Sequence, residues 1–254
     1  MRKIVILILV GLGGLLIVRG RGAGDAPSQF EEANPDFTFV RLIYSGGGGW
    51  RRGRGSSWST DFPKADNQLL YAIRKLTDLS FIQPESRALS LNTDEIFEYP
   101  FLYAVEVGHM RLSDEEAARL REYLLRGGFL MVDDFHGTWE WDNFYQEIKR
   151  VLPEYEPEDL PLSHPIFHCY FDIDALFQIP GLQFLYSGRT WEKDGRQARY
   201  MGIRDDSGRV VVMINHNVDL GDAWEWAELE EYPRQYAHLA FKLTVNYIVY
   251  AMTH

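Results

Sequence analysis

Residues 127–137 read GGFLMVDDFHG. An apolar run from Phe129 to Val132 ends in two adjacent carboxylates, Asp133 and Asp134, with His136 two positions on. A buried strand does not end in paired acids without a partner, because an uncompensated buried charge is costly or neutralises itself. Oxygen and imidazole donors at this spacing suit a divalent cation such as Zn, Mn or Mg. They also suit a pair working as acid and base. Glu106 and His109, in AVEVGHM, extend the donor set. Adjacent residues of a strand point to opposite faces, so both aspartates can line one site only where the strand has ended. The structural alternative is that one aspartate caps the following turn and the other pairs with an arginine. The catalytic candidates are thus Asp133, Asp134 and His109, and the metal candidates Asp133, Asp134 and His136.

A second set is suited to binding. SGGGGWRRGRGSSW is rich in glycine, whose backbone N–H groups can turn inward, and Arg51, Arg52 and Arg54 supply positive charge for an anion. Gly48 to Gly53 has the spacing of a phosphate loop, but Arg54-Gly55 replaces the Lys-Ser/Thr that such a loop needs. The plainer reading is a surface loop whose arginines neutralise Asp133 and Asp134. Gly108, beside His109, and His164 in SHPIF complete the ligand-binding candidates, His164 from an extended loop before Pro165. His216 in INHNVD is a further candidate. For each histidine alone, a hydrogen-bonded structural role is the more ordinary outcome. Cys169 follows His168, but neighbours on a strand face apart, and a lone cysteine is most often a small buried hydrophobe. Trp224, Glu225 and Trp226 could stack on a sugar or simply be core and surface.

These residues need elements to hold them. FTFVRLIY is rich in β-formers and reads as a first strand. Asp66 to Asp78 carries Leu69, Leu70, Ile73 and Leu76 at helical spacing. SRALSLN and FLYAVEVGH read as the second and third strands. In SDEEAARLREYLLRGG, Ser113 followed by Glu116 is a capping box, and the glycine pair is a stop. FLMVDD is the fourth strand. Strands alternating with helices imply a parallel sheet covered on both faces. In such a sheet, ligands bind beyond the carboxyl ends of the strands. The loops carrying the arginines, Gly108-His109 and Asp133 to His136 converge there by topology. Further on, LPEYEPEDLPLSHPIF is a proline-broken loop. RQARYMGIRDDSGRVVVMINHN is a hairpin turning at Ser207-Gly208. Pro233 opens a final helix to about Ala251, too short and too interrupted by Lys242 for a membrane span.

Composition limits the function classes. The chain has 254 residues, 46% of them hydrophobic, enough for a sizeable core, and a formal net charge of −11. That balance argues against nucleic acid as a partner, since phosphate contacts need a basic face, and against adsorption to an anionic membrane surface. One cysteine excludes an intrachain disulfide and a CxxC metal site. At the N-terminus, Arg2 and Lys3 precede an uncharged apolar run from Ile4 to Val18. Fifteen helical residues span about 22 Å against about 30 Å of hydrocarbon. Residues 1–24 therefore read as a signal peptide or a short membrane anchor, and membrane contact follows only if the segment stays uncleaved. Residues 25–36 read as a linker and 37–254 as one folded domain, exported to the periplasm or held at the membrane outside the cytoplasm.

With these segments in place, the chain resembles the bacterial family catalogued as domain of unknown function 4159. FTFVRLIYSGGG, YPFLYAVEVGHM, LSDEEAARLREYLLRGGFLMVDD, LPLSHPIF and VNYIVYAMT carry the resemblance, from about Phe37 to the C-terminus. It implies a class I glutamine amidotransferase-like, flavodoxin-like α/β fold and an envelope location, and it supplies no established reaction. Relatives are often encoded near AAA-type ATPases and von Willebrand A-domain proteins, which suggests envelope maintenance by association only. In glutaminases of that superfamily a tight elbow carries the nucleophilic cysteine. Here the equivalent strand, FLMVDDF, holds Asp133 and Asp134 and no thiol, so glutaminase activity is not expected. The first functional expectation is therefore a non-catalytic module that binds an envelope protein or a small ligand. The rival is a carboxylate- or metal-dependent hydrolase acting on a carbohydrate or related envelope substrate.

Overall fold

The computed structural model describes residues 36–46, 57–77, 79 and 82–254. Arg51, Arg52, Arg54 and residues 1–35, with the export segment read there, lie outside the described residues. Among the described residues, seven strands form one sheet: β1 (Val40–Ile43), β2 (Arg87–Ser90), β3 (Phe101–Val105), β4 (Phe129–Phe135), β5 (Glu158–Asp159), β6 (Arg199–Arg204) and β7 (Val210–His216). Their spatial order is β2-β1-β3-β4-β7-β6-β5. From β2 to β7 every pairing is parallel. FLYAV, FLMV and VVVMI are almost unbroken apolar runs because strands inside such a sheet are covered on both faces. The sheet as a whole is mixed. β6 returns directly into β7 through a tight turn, and so short a connection permits only antiparallel pairing. β5 then adds antiparallel to β6.

Among the described residues there are six α-helices: α1 (Lys64–Leu76), α2 (Asp114–Leu125), α3 (Gly137–Val151), α4 (Phe184–Ser187), α5 (Leu220–Glu225) and α6 (Arg234–Thr253). Strand side chains alternate between two cores, as a period of two requires. Phe39, Phe101, Tyr103, Phe129 and Met131 pack under α1, α5 and α6. Val40, Leu42, Leu102, Leu130 and Val132 pack under α2 and α3. The capping box of α2 is formed in both directions: Glu116 N–H donates to Ser113 Oγ and Ser113 N–H to Glu116 Oε2. The final helix extends slightly beyond the sequence reading and anchors the irregular segment before it. Asn246 on α6 accepts the Phe171 N–H (2.7 Å) and donates to the Phe171 carbonyl (2.8 Å).

α3 is the longest of the strands and α-helices that the sequence reading passes over; α4, α5 and the short β5, the last inside the stretch read as a proline-broken loop, are the others. Phe144, Ile148 and Val151 give it one apolar face. His136 at the N-cap position makes no side-chain cap bond, and the first N–H groups of the helix are taken from afar: Gly137 N–H donates to Asn217 Oδ1 (2.8 Å) and Thr138 N–H to Asp194 Oδ1 (3.0 Å). Among the described residues, no helix is long and apolar enough to cross a membrane.

Candidate functional site

The paired acids of β4 have separate fates. Asp133 is 0% exposed and continues the alternation of Phe129 and Met131 toward α5 and α6. Its Oδ2 accepts the N–H groups of Leu220 (2.8 Å) and Gly221 (3.1 Å) and the Tyr103 hydroxyl (3.3 Å). Burial still pushes this carboxyl up to about 7. Asp134 is 7% exposed and takes the left-handed conformation, with φ 53°. The register between β4 and β7 shifts between Val132 and Phe135. Such a bulge re-aims the side chains after it, and Phe135 accordingly joins the α2–α3 core. The expectation that both acids face an open crevice is therefore corrected. Asp133 is buried in the α5–α6 face, with its Oδ2 held by backbone donors. Asp134 is turned by the bulge toward His136, whose Nε2 lies 3.1 Å from its Oδ1.

Two further acids meet Asp134. Asp61 precedes α1 in a left-handed conformation, φ 62°. The segment before it is pinned by Arg41, whose guanidinium donates to the carbonyls of Trp58 (3.1 Å) and Thr60 (2.8 Å) and pairs with Asp66 (2.5 Å) in full burial. Asp219 caps α5, accepting the Asp222 N–H at 2.7 Å. Carboxylate oxygens of Asp61, Asp134 and Asp219 lie within 4.8 Å of one another, and Asp222 and Glu225 stand close to Asp61 by the same measure. Gly221 makes room for this approach: a Cβ there would stand 2.7 Å from Asp61 Oδ2. Burial first, and then repulsion by the neighbouring acids, raise Asp61 to about 9 and push Asp134 and Asp219 well above the ordinary carboxylate range. Among the described residues, no lysine or arginine forms an ion pair with Asp61, Asp133, Asp134 or Asp219. Asp61 Oδ2 and Asp133 Oδ1 are buried without a hydrogen-bond partner.

A second group adjoins the first at the end of β3. Glu106 also adopts a left-handed conformation (φ 56°, ψ 33°) and leads into a 3-10 turn, Val107–His109. His109 Nε2 lies 3.0 Å from Glu140 Oε1 and 3.8 Å from Glu106 Oε2. Glu140 Oε1 is also paired with Lys193, and its Oε2 accepts the His136 N–H at 2.5 Å. Burial alone would raise Glu140. The bonds from His109, Lys193 and the backbone outweigh it and hold this carboxyl at about 2. The bond to Glu140 raises His109 above 6.5, although burial opposes it. Gly108 is buried, and a Cβ there would overlap Glu140 Cβ and Cγ. Its lack of a side chain seats the turn against α3, so Gly108 positions its neighbours. A cation bound among Glu106, His109 and Glu140 would have to compete with the Lys193 ammonium already there. The Asp61–Asp134–Asp219 group has no such competitor among the described residues.

His136 joins the two groups, with its side chain on Asp134 and its N–H on Glu140. It is buried, and burial lowers its pKa. His164 lies elsewhere, its ring 6.3 Å from that of Tyr250, which also packs on Phe129 at the start of β4. That is the opposite edge of the sheet from the acids. His216 donates Nε2–H to the Gly137 carbonyl (3.2 Å) and packs against Phe135 and Trp141, and burial lowers it to about 4. Trp224 is core, and Cys169 is half-buried with Sγ 3.1 Å from the Asn246 carbonyl. Sequence reasoning did not find Asp61, Asp219, Glu140 or Lys193. For Glu140 a signal existed: its place one turn before Phe144 in a helix-periodic stretch. For Asp61 there was none, since it is 73 residues from Asp134 in sequence, from the difference of their numbers.

No curated protein matches this chain. One family does, over residues 38–252, a span that includes every residue of both groups: Domain of unknown function (DUF4159).

Proposed function

Because the chain belongs to the DUF4159 family, whose description assigns no reaction, we propose a function from its own carboxylate cluster: a divalent-cation-dependent hydrolase domain, exported to the cell envelope and acting on a carbohydrate or related envelope-derived substrate. The observation that carries this reading is the convergence of Asp61, Asp134 and Asp219. Two buried carboxylates and a half-buried one that repel one another must take up protons or a cation. Hard divalent cations are held by several carboxylate and carbonyl oxygens. The donors fit such an ion in type and number, with Asp222 and Glu225 adjoining. When bound, the ion supplies Lewis acidity and lowers the pKa of a coordinated water. The chain's part is to fix the donors on three rigid elements: the Arg41-pinned turn, the bulge of β4 and the cap of α5.

Calorimetric titration of chelator-treated protein with Mn²⁺ and with Ca²⁺ tests this directly. We expect a single divalent cation per chain, with binding weakened at least about tenfold in Asp134→Asn and in Asp219→Asn. Equal binding by both variants and the wild type would remove the site.

Export is supported by Arg2-Lys3 and the apolar run Ile4–Val18. Kinship with amidotransferase-like domains is supported by the parallel order β2-β1-β3-β4-β7 and by the left-handed Glu106 after β3. Glutaminase activity has no support, since Glu106, Asp133 and Asp134 hold the strand ends and Cys169 packs against α6. A second reading, a partner-binding module, is favoured by an exposed groove between α1 and α6 lined by Tyr71, Leu76, Phe171 and Phe241. It predicts a captured envelope protein that Tyr71→Asp releases.

A further inference from the structure

We infer that His109 is a proton-transfer group at the surface beside the carboxylate cluster, poised by Glu140 to activate water against a neutral ester whose flat or ring-bearing portion lies on Trp139. The inference rests on the reading of this region as a reaction site; the ester step it names needs no cation and is separate from the cation-dependent reaction proposed above.

Four observations carry it. First, the His109 side chain is 38% exposed while its partner Glu140 is nearly fully buried, so the imidazole alone of the two can meet a substrate. Second, Glu140 has both oxygens occupied, by His109, Lys193 and the His136 N–H. It is a fixed orienter that holds the proton on Nε2 and leaves Nδ1 to exchange one. Third, Gly108 has no side chain where a Cβ would overlap Glu140, so the turn carrying His109 seats directly on α3. Fourth, the Trp139 ring lies 5.5 Å from the His109 ring and is 63% exposed, a free apolar face beside the imidazole.

The surroundings select the substrate. Glu106, Glu140 and Lys193 face His109, and Asp134 lies beyond Glu106. Among the described residues this excess of acid disfavours phosphate and carboxylate substrates. Glycoside hydrolysis needs two free carboxyl groups flanking the bond, and Glu140 is not free. Acyl transfer to water needs only one mobile proton acceptor near the carbonyl. In that step Nδ1 takes a proton from water as the water oxygen bonds to the acyl carbon. The carbonyl electron pair moves onto its oxygen and then returns, expelling the alcohol or phenol as its oxyanion. The products are a carboxylic acid and that oxyanion; the acid gives its remaining water-derived proton to solvent and becomes a carboxylate, and the proton on Nδ1 passes to the oxyanion or to solvent.

Hydrolysis of 4-nitrophenyl acetate by the full chain in excess chelator, followed from pH 5 to 9, tests this. The wild type should rise above buffer with a midpoint set by His109, and His109→Gln should lose at least about tenfold of that rate. Two charge changes should move the midpoint in opposite directions. Glu140→Gln removes the group that raises His109, so its midpoint falls. Lys193→Gln removes a neighbour that lowers His109, so its midpoint rises, and this half-exposed lysine can be replaced even if the buried Glu140 cannot. A wild-type rate equal to buffer, an unchanged rate in His109→Gln, or an unmoved midpoint in Lys193→Gln each overturns the inference. Because chelator is present throughout, loss of cation binding leaves this result intact, and the two readings fail separately.

Discussion

At the scale of single residues, neighbouring positions of similar chemistry do unlike things because burial and partners differ. His109 and His216 are both imidazoles near the sheet's carboxyl edge, yet one is raised by a carboxylate and the other lowered by burial to about 4. His216 gives a pH prediction with a definite sign. The unfolded chain protonates it below about 6.5, whereas the folded chain does so only below about 4. Stability from the neutral ring is therefore complete above 6.5 and lost as pH falls through 4, a loss on the order of 3 kcal/mol. Thermal melts from pH 7 to 4 should show His216→Leu less stable than wild type at pH 7 but with a shallower decline. Parallel declines would exclude His216 as the cause.

At the scale of elements, the site depends on how strands and helices begin and end. α2 starts on a reciprocal cap, and Glu116 also accepts the Ser45 hydroxyl at 2.7 Å. Ser113→Ala should cost about 1 kcal/mol, the usual loss for a cap, while Glu116→Ala should cost more because it also frees Ser45. Urea melts of the two variants give the comparison, and equal losses would mean that the Ser45 bond contributes nothing. The 3-10 turn after β3 depends on Gly108. Gly108→Ala should displace Glu140 and return the His109 pKa toward 6.5, which NMR titration of the imidazole would register. A His109 titration identical to wild type would show that the turn tolerates the methyl group.

At the scale of the whole molecule, two cores share one set of strands. Leu243 lies in the α6 core and Leu120 in the α2 core. Each Leu→Ala change should cost about 2–5 kcal/mol. Because the strands alternate between the faces, both should shift one common transition seen equally by near-UV and far-UV circular dichroism. Two separated transitions would mean that the faces melt independently. The buried pair Arg41–Asp66 links the α1 core to the site, since Arg41 also holds the turn before Asp61. Asp66→Ala would leave a buried guanidinium without its partner, at a cost of about 3–5 kcal/mol. It should weaken Mn²⁺ binding as well.

The alternating strands and helices, the capping box, the hairpin and the long last helix were legible in the residues, because each is set by local periodicity, turn chemistry or caps. The location of the acids at the end of a central strand followed from the same logic. α3 was not legible at its start, since the side chains that take its first N–H groups, Asn217 and Asp194, are distant in sequence. The division of labour between Asp133 and Asp134 was decided only by the bulge in β4, which a strict alternation of faces does not foresee. Asp61 and Asp219 come from opposite ends of the domain, and only the parallel sheet order brings them to Asp134. Sequence patterns report which groups share a turn or a face, but carboxylates gathered from distant strand ends are defined by where the chain crosses over, and tertiary structure alone sets that.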